Sequence, residues 1–317
     1  EIIGGKLDVT NWRITTDASK AGAKPAVSGG TFSSAIPYEY CAAGYIPEDK
    51  GDGKYGVKEG KYVAKVGSTK YETLADAIRL AANGNTVTLL DNVTENVTIG
   101  ENKDLTLDLN GFTLTNAGEH TITNNGTLTI KGTGTVDNVT HAKAAIVNYG
   151  TLGGTVEGTV TSNANGILNH GGKLTTVKTT IQTVRGIGIY NRAGGTIINI
   201  NANITVCNRA AVFNTGEGTK ITSFTGGTYI STCEKEGTAD DRAIGIYAAD
   251  GATIARIAVT KVESYGACIA NDGAAITTIQ RGVFTSSTIS IANKNGGVIG
   301  EIRNGTFTPD YDWDTVF

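Results

Sequence analysis

The chain has 317 residues, a formal net charge of −3, 18% charged residues and 7% aromatic residues. This low charge content excludes a solvated, disordered chain, and the slightly acidic balance excludes a basic surface of the kind that binds nucleic acid. No run approaches the roughly 20 consecutive apolar residues of a membrane-spanning helix. Gly is abundant and Pro is rare, at 43 and 4 residues, and the frequent Val, Ile and Thr favour strands over helices.

Two local signals precede the regular part of the chain. The segment EDKGDGKYG at 48–56 is oxygen-rich but has too few ligands for a calcium loop, so it predicts a hairpin turn. The segment TLADAIRLAANG at 73–84 predicts the one convincing helix, in which Thr73 and Asp76 resemble a capping box and Asn83-Gly84 ends the helix. Its apolar face consists of Leu74, Ile78, Ala81 and Ala82.

A repeat of about 22 residues then runs through the rest of the sequence. Each repeat places Asn after two apolar residues and before a Gly turn, as in IVNYG at 146–150 and IYNRAGG at 189–195. The steps are 21 to 24 residues, except for one of 34 residues that contains the insertion STCEKEGTADDR at 231–242 and ends on Ala248. The Asn positions are Asn124, Asn148, Asn169, Asn191, Asn214, Asn271 and Asn293.

Every repeat offers three short strands. The Asn strand is followed by an apolar pair spaced i, i+3, such as Leu174/Val177, and then by a glycine–aromatic strand such as GGTY at 226–229. Three strands per repeat, joined by turns too short for helices, predict one coil of a right-handed parallel β-helix. A left-handed coil of the hexapeptide type would need a period of about 18 residues. We therefore predict an all-β fold of about eight coils with one N-terminal capping helix, which covers the otherwise exposed core.

The repeated Asn predicts a structural ladder. Side chains two apart on a strand share a face, so each Asn points inward with the apolar residue two positions before it. A buried amide needs hydrogen-bond partners, and the same Asn one coil above and below can supply them. We expect these residues to stabilise the stack of coils and to take no part in catalysis.

The cysteines and the acidic residues give weak signals. The four cysteines, Cys41, Cys207, Cys233 and Cys268, form no C-x-x-C pair, so we expect neither a zinc site nor a cofactor. Cys207 and Cys233 lie about one repeat apart, which allows either a bridge between neighbouring coils or two small buried residues.

One acidic cluster, Asp240 and Asp241 with Asp250 nearby, lies beside the insertion. Lyase chemistry needs acids on adjacent coils plus a basic residue, and hydrolase chemistry needs converging carboxylates, so we expect a solvated loop here and no enzyme.

Several stretches resemble a known family. The family is that of pectate-lyase-like right-handed parallel β-helix modules in large bacterial surface and adhesin-type proteins. The opening of such a module resembles residues 62–99 with LTLDLNGFTL at 105–114. The closing segment of such a module resembles VSGGTFSS at 27–34 with residues 40–57. The resemblance implies an extracellular or cell-surface location. In the family the closing segment follows the coils, whereas here it precedes the helix.

We accordingly divide the chain into a closing or capping segment (1–57), a part with a hairpin, the capping helix and the first strands (58–115), and the regular coils (116–317). We also expect a chain without Met to have been cut from a longer one.

The two ends read as halves of one coil. If TVF is joined to EIIGGKL, Val316 and Phe317 fill the two apolar positions and Glu1 falls at the Asn position. Three interpretations follow: a slice through tandem modules, a subunit whose residues 1–57 complete the coil of its neighbour, or a segment that folds back within its own chain. The predicted junction residues are Glu1, Ile2, Ile3, Leu7, Val316 and Phe317.

The function we expect is structural: a β-helix building block of an extracellular fibre or stalk. Its partners would be copies of itself arranged head-to-tail, or adjacent modules in a longer chain. The alternative is a glycan- or host-binding adhesin, and a polysaccharide lyase or hydrolase comes third. Sugar binding would use Thr-rich rows and four tyrosines, Tyr62, Tyr190, Tyr229 and Tyr247.

Overall fold

The computed structural model describes residues 26–207, 209–232 and 243–309, together with the backbone of residues 6–7. These residues form two compact units. The first comprises the described residues through Val63 with Lys70–Thr73, and the second comprises Ala64–Thr69 and the described residues from Leu74 onward. The division of the chain at residues 57 and 115, and the assignment of 1–57 to another module or subunit, stay predictions.

The first unit contains a small sheet. The hairpin predicted at 48–56 is confirmed, because two of the strands pair antiparallel around a turn at Asp52 and Gly53, whose φ values are +52° and +67°. A 3₁₀ turn, Tyr38–Tyr40, precedes the hairpin, and Val27, Phe32, Ile36 and Val57 form a small core. The four strands lie in the order Lys6–Leu7, Thr31–Phe32, Lys54–Glu59 and Tyr45–Gly51.

The second unit is a parallel β-helix, which confirms the predicted all-β fold class. Three strands from each turn lie on three faces, which we name faces A, B and C. Within the described residues, face A carries one strand from each of nine turns, in line with the predicted count of about eight coils. Its strands are Val97–Ile99, Ile122–Asn124, Ile146–Asn148, Ile167–His170, Ile189–Arg192, Val212–Thr215, Ile246–Ala249, Ile269–Asp272 and Ile291–Lys294.

Face B follows face A in each turn and contains the apolar pairs. Two strands of 12 residues, Thr253–Ser264 and Ala275–Ser286, begin on face B and continue into face C. The other strands of face B are Thr86–Leu89, Asp104–Asp108, Thr127–Lys131, Thr151–Val156, Lys173–Val177, Thr196–Ile200, Lys220–Phe224 and Val298–Ile302. Ala64–Val66 pairs antiparallel with the first of them, and one more short strand spans Thr69–Tyr71.

Face C completes each turn. Its aromatic side chains point into the core, as Tyr229 and Phe284 do. The remaining strands of face C are Val93–Thr94, Thr113–Asn116, Thr135–Asn138, Thr159–Ser162, Thr180–Thr183, Asn203–Val206, Thr228–Ser231 and Thr306–Pro309.

The core consists of aligned columns of apolar side chains. Leu174, Ile197 and Ile221 are register partners on successive coils of face B, and all three are buried. The second residue of each i, i+3 pair forms its own buried column, which includes Val177 and Ile200. Because every coil repeats the same inward positions, each apolar residue packs against its equivalents above and below.

One helix, Leu74–Leu80, lies at the first turn, and it is shorter than predicted. It buries Leu74 and Ile78 as expected, but Ala82 is exposed and Ala77 is buried in its place. The predicted end at Asn83-Gly84 is wrong, since the helix ends at Leu80, where Lys103 Nζ donates to the carbonyl oxygens of Arg79 and Ala81, at 3.0 and 2.7 Å. Those carbonyl groups would otherwise accept bonds from further helical turns.

A glutamate from a later strand connection caps the start of this helix. Glu95 accepts hydrogen bonds from the backbone N–H groups of Leu74 and Ala75, each at 3.0 Å. A carboxylate at this position satisfies two unpaired donors and interacts favourably with the helix dipole. In the described part of the chain, no helix has the length and apolar character needed to cross a membrane.

Candidate functional site

The inward Asn residues of face A form a side-chain ladder. In each of its bonds, Nδ2 of one Asn donates to Oδ1 of the Asn on the next coil, and six of the seven Asn residues are fully buried. A second acceptor is a backbone carbonyl oxygen in the following turn, such as that of Gly172 for Asn169 at 2.8 Å. The ladder bonds are Asn124–Asn148, Asn148–Asn169, Asn169–Asn191 and Asn191–Asn214 at 2.7 Å and Asn271–Asn293 at 2.8 Å.

Ala248 divides the ladder into two segments. Asn214 lies beside Ala248 in the register, so it lacks an Asn acceptor on the next coil and keeps only the bond from its Nδ2 to a carbonyl oxygen of that coil, that of Thr253 at 3.0 Å. Below the gap, Asn271 Oδ1 has no hydrogen-bond partner among the described residues. Because the ladder amides bond to one another and to turn carbonyls, their chemistry is that of a structural network.

The predicted junction and acidic residues are only partly within the described chain. Glu1, Ile2, Ile3, Val316, Phe317, Asp240 and Asp241 lie outside it. The backbone of Leu7 is described, and it pairs in parallel with Phe32. Asp250 occupies an exposed turn with φ of +54° and accepts a hydrogen bond from Thr215 Oγ1 at 2.6 Å.

Two cysteines occupy distinct environments in the β-helix. Cys207 is disulfide-bonded, which excludes its interpretation as a free buried thiol, and its predicted partner Cys233 lies outside the described residues. Cys268 is a free, buried thiol with Sγ 3.1 Å from the carbonyl oxygen of Thr285. Burial raises the pKa of Cys268 to about 11, so this thiol stays protonated at neutral pH and is a poor nucleophile. In the described ranges, no three His, Cys, Asp or Glu side chains group into a site for a metal ion.

The four tyrosines considered for sugar binding separate into three places. The expectation for Tyr229 is wrong, because it is fully buried in the core and its Oη donates to the carbonyl oxygen of Gly226 at 3.0 Å. Tyr62 belongs to the first unit, where its ring lies 5.1 Å from that of Tyr38. Tyr190 and Tyr247 both lie on the outer surface of face A.

The outer surface of face A carries a column of stacked rings. Tyr190, Phe213 and Tyr247 are register partners on three successive coils. Their ring centroids are 5.2 and 4.6 Å apart, with interplanar angles of 5° and 10°. Sequence reasoning missed Phe213, although its place in VFN matches that of Tyr190 in IYN. The guanidinium of Arg192 lies 5.2 Å from the Tyr190 ring centroid, which is within reach of a cation–π contact.

Two hollows flank the last ring of this column. One, of about 280 Å³, lies against Phe213, Tyr247 and Ala210. The other, of about 290 Å³, lies on the side of the next coils, where Ala270 and Ala292 take the register positions of the rings. Both hollows also contact Ile244 and Lys294.

A polar cluster lies beside the second hollow. Asp272 accepts hydrogen bonds from Tyr247 Oη at 3.1 Å and from Asn295 Nδ2, and its carboxylate lies 3.3 Å from Lys294 Nζ. The hydrogen bond from Asn295, with those from Lys294 and Tyr247, lowers the pKa of Asp272 below its ordinary value. The cluster therefore places the Asp272 carboxylate beside the Lys294 side chain.

The last described coil exposes side chains that are buried one coil earlier. Ile279 on face B is fully buried, whereas its register partner Ile302 is 50% exposed. Asn271 is buried and Asn293 is exposed. The same change, from buried to partly exposed, occurs between Ile269 and Ile291, Ile276 and Ile299, and Phe284 and Phe307.

No protein-family model matches this chain, and searches of curated proteins and of solved structures gave no match either.

Proposed function

We propose that the chain is a structural building block whose last coil is completed by another copy, or by an adjacent module of a longer chain. The observation that carries this proposal is the exposure of inward side chains on the last described coil, above all Ile302 at 50%. An apolar core that ends in this way gains stability when further strands cover it.

The edge of the last coil is also suited to adding strands. Ile291–Lys294 pairs with one neighbour in face A, and its other edge has no strand partner among the described residues. Backbone hydrogen bonds to an added strand, with burial of its alternate side chains, are a common way to hold two chains together. Contacts that join opposite ends of a subunit are heterologous, so they propagate into a filament.

The partner segment we propose is residues 1–57 of the neighbouring copy or module. Its resemblance to the closing segment of β-helix modules supports this choice, since closing segments lie after the last coil in that family. We further propose an extracellular or cell-surface location, which the disulfide at Cys207 supports because disulfides persist in oxidising compartments. Under this proposal the molecule has no catalytic role.

A matched pair of substitutions tests head-to-tail assembly. Ile302→Lys places a charge at an inward position of the last coil, whereas Val298→Lys places it at an outward position of the same strand that is already 59% exposed. We expect the intact chain to form larger species as its concentration rises, measured by light scattering after size exclusion. Ile302→Lys and deletion of residues 1–57 should each abolish this growth, and Val298→Lys should leave it unchanged.

The proposal fails if the intact chain stays monomeric at every concentration and its elution is unaffected by deletion of residues 1–57. It also fails if Val298→Lys disrupts assembly as strongly as Ile302→Lys, because the contact would then lie on the outer surface of face B.

A further inference from the structure

We propose that a hollow at the corner between faces B and C, in the last three described coils, binds the carboxylate and the N-acetyl group of a terminal sialic acid residue. This inference goes beyond head-to-tail assembly, because the hollow lies on the outer surface of the corner and its test measures the binding of a small ligand. It rests on three features: the shape of the corner, a guanidinium group without a counter-ion among the described residues, and the mixed lining of the hollow.

The hollow forms where the corner becomes one residue shorter. In the first of the three coils the corner has two residues, Val259 and Thr260, where the next coil has only Gly282. The last described coil keeps the shorter corner, with Gly305 at the position of Gly282. A Cβ atom at Gly282 would lie 2.6 Å from Val259 Cγ2, so this position needs glycine. The resulting hollow, of about 380 Å³, is therefore set by the backbone and not by the rotamer of one side chain.

The hollow has a positive charge that no described residue compensates. Arg281 lines it, and within the described ranges its guanidinium forms neither an ion pair nor a hydrogen bond. Lys261, on the coil before, pairs with Glu263. Arg303, on the coil after, pairs with Glu301. Among the described residues no carboxylate lines the hollow, so an anionic ligand meets no like charge in its walls.

The coils around the hollow are positively charged in an otherwise acidic chain. Residues 253–264, 275–286 and 298–309 contain four cationic side chains and two carboxylates, which leaves an excess of two positive charges, whereas the whole chain has a net charge of −3. A local excess of this sign raises the concentration of an anionic ligand near Arg281. Arg256 is a second cation of these coils that has no ion pair in the described ranges, but it does not line the hollow.

The guanidinium group favours a carboxylate over a phosphate. Its N–H groups form a planar fork that matches the two oxygens of a carboxylate. A phosphate monoester carries close to two negative charges at neutral pH, and Arg281 compensates only one of them. The ligand that fits this charge is therefore a carboxylate with a single negative charge.

The rest of the lining suits an N-acetylated sugar. Val283 is 43% exposed and offers an apolar surface for a methyl group. Thr260, Thr306 and Asn304 add hydroxyl and amide groups, which pair with sugar hydroxyls and with an amide carbonyl. Asn304 Oδ1 accepts a hydrogen bond from the N–H of Gly305 at 2.8 Å, so the Nδ2 group is left to donate to a ligand.

A sialic acid residue combines these requirements in one ring. It carries a carboxylate for Arg281, an N-acetyl methyl group for Val283 and several hydroxyls for the threonines. A uronic acid has the carboxylate but no N-acetyl group, so it would leave Val283 uncovered. A neutral N-acetylated sugar would leave Arg281 without a partner. The volume of the hollow lies within the range of small-ligand sites.

The test is a titration of the intact chain with three methyl glycosides, followed by saturation-transfer NMR. The sialoside carries both groups, the glucuronide only the carboxylate and the N-acetylglucosaminide only the N-acetyl group. We expect the sialoside to bind with a Kd on the order of 1 mM, as befits a single ring, and the other two about tenfold more weakly. Added salt should weaken the binding of the sialoside.

Substitutions at exposed positions assign the two contacts. Arg281→Gln removes the charge that meets the carboxylate and should weaken sialoside binding about tenfold, whereas Arg281→Lys keeps the charge without the fork and should weaken it less. Val283→Ser should weaken binding of the sialoside and leave that of the glucuronide unchanged. Arg256→Gln is the matched control, because it removes an unpaired charge from the same coils outside the hollow, and it should leave the Kd of the sialoside unchanged.

Four outcomes would overturn the assignment. The first is an absence of saturable binding by the sialoside. The second is equally tight binding of the glucuronide or the N-acetylglucosaminide, since one of the two groups would then not be recognised. The third is an equal loss in Arg256→Gln and Arg281→Gln, which would indicate a diffuse field and not a contact. The fourth is a preference for N-acetylaspartate amide over the sialoside, which would identify the hollow as a contact for an acidic protein side chain.

Discussion

The first and last coils of the β-helix have the same kind of inward residues but opposite surroundings. In the first coil, Leu89 and Val97 are buried, and Leu74 of the capping helix is buried with them. In the last described coil, Ile302 occupies an equivalent inward column and is half exposed. The comparison teaches that burial in a solenoid depends on the neighbouring coil or cap, because no single coil can cover its own apolar side chains.

The polar contacts at the two ends also differ. At the first end, Glu95 and Lys103 bind opposite ends of the capping helix through its backbone N–H and carbonyl groups. At the last coil, the side chain of Asp272 binds those of Lys294 and Asn295, in addition to the backbone pairing of Ile269–Asp272 with Ile291–Lys294. A cap held by backbone hydrogen bonds satisfies groups that must otherwise be solvated, so we expect the first end to be the more stable of the two.

The largest effect is expected from the ladder. Asn169→Ala removes the acceptor of Asn148 and the donor to Asn191 in a fully buried site, and we expect it to lower the free energy of unfolding by about 4 kcal/mol. Asn293→Ala changes the same position on the exposed last coil and should cost less than about 1 kcal/mol. Urea denaturation of both variants measures the difference. Equal losses would show that the ends of the ladder are as well supported as its middle.

The next largest effect is expected from the capping helix. Leu74→Ala removes a fully buried side chain, and we expect a loss of about 3 kcal/mol in the free energy of unfolding. Leu80→Ala is the control, because Leu80 belongs to the same helix but is 57% exposed, and it should change the stability by less than about 0.5 kcal/mol. Hydrogen exchange should locate the loss in the first coils. Loss of protection spread evenly over the β-helix would contradict a local cap.

A smaller effect is expected from Glu95. Glu95→Gln keeps an acceptor oxygen near the helix N-terminus but removes the negative charge and one of the two equivalent oxygens, so the stability should fall by about 1 kcal/mol. Glu101→Gln, at an exposed turn, serves as the control and should have no measurable effect. Thermal unfolding monitored by circular dichroism measures the melting temperatures of both variants and of the wild-type chain. An unchanged melting temperature for Glu95→Gln would mean that the helix does not depend on this carboxylate.

The features predicted from sequence are those that repeat with the coil. The period, the inward apolar columns and the Asn positions follow from a pattern in which one coil specifies its neighbours, so Asn169 and Asn191 could be aligned without coordinates. The hairpin at 48–56 was also predictable, since its turn needs residues that tolerate positive φ.

The features that were missed depend on single residues from distant parts of the chain. Lys103 binds carbonyl groups at the end of the helix from more than twenty positions away, and nothing local to Asn83-Gly84 reveals this contact. The hollow beside Tyr247 arises because Ala270 and Ala292 follow three rings at one outward position. That signal is present in the aligned repeats, but it becomes informative only when outward positions are compared from coil to coil.

The smallest effect is expected from the side-chain contact between the last two coils. The pKa of Asp272 is lowered in the folded state by Asn295, Lys294 and Tyr247, so its contribution is present above the ordinary pKa of about 3.9 and is lost as the pH falls through the lowered value. Asp272→Asn should remove that contribution at neutral pH and speed amide exchange in Ile291–Lys294, with little change in the first coils.

Glu301→Gln is the matched control, because Glu301 pairs with Arg303 within the last coil and does not join two coils. NMR resonances of Asn295 should shift with acid in the wild-type chain and not in Asp272→Asn. If both variants speed exchange equally, the last coil is held by its backbone pairing with Ile269–Asp272 and not by this carboxylate.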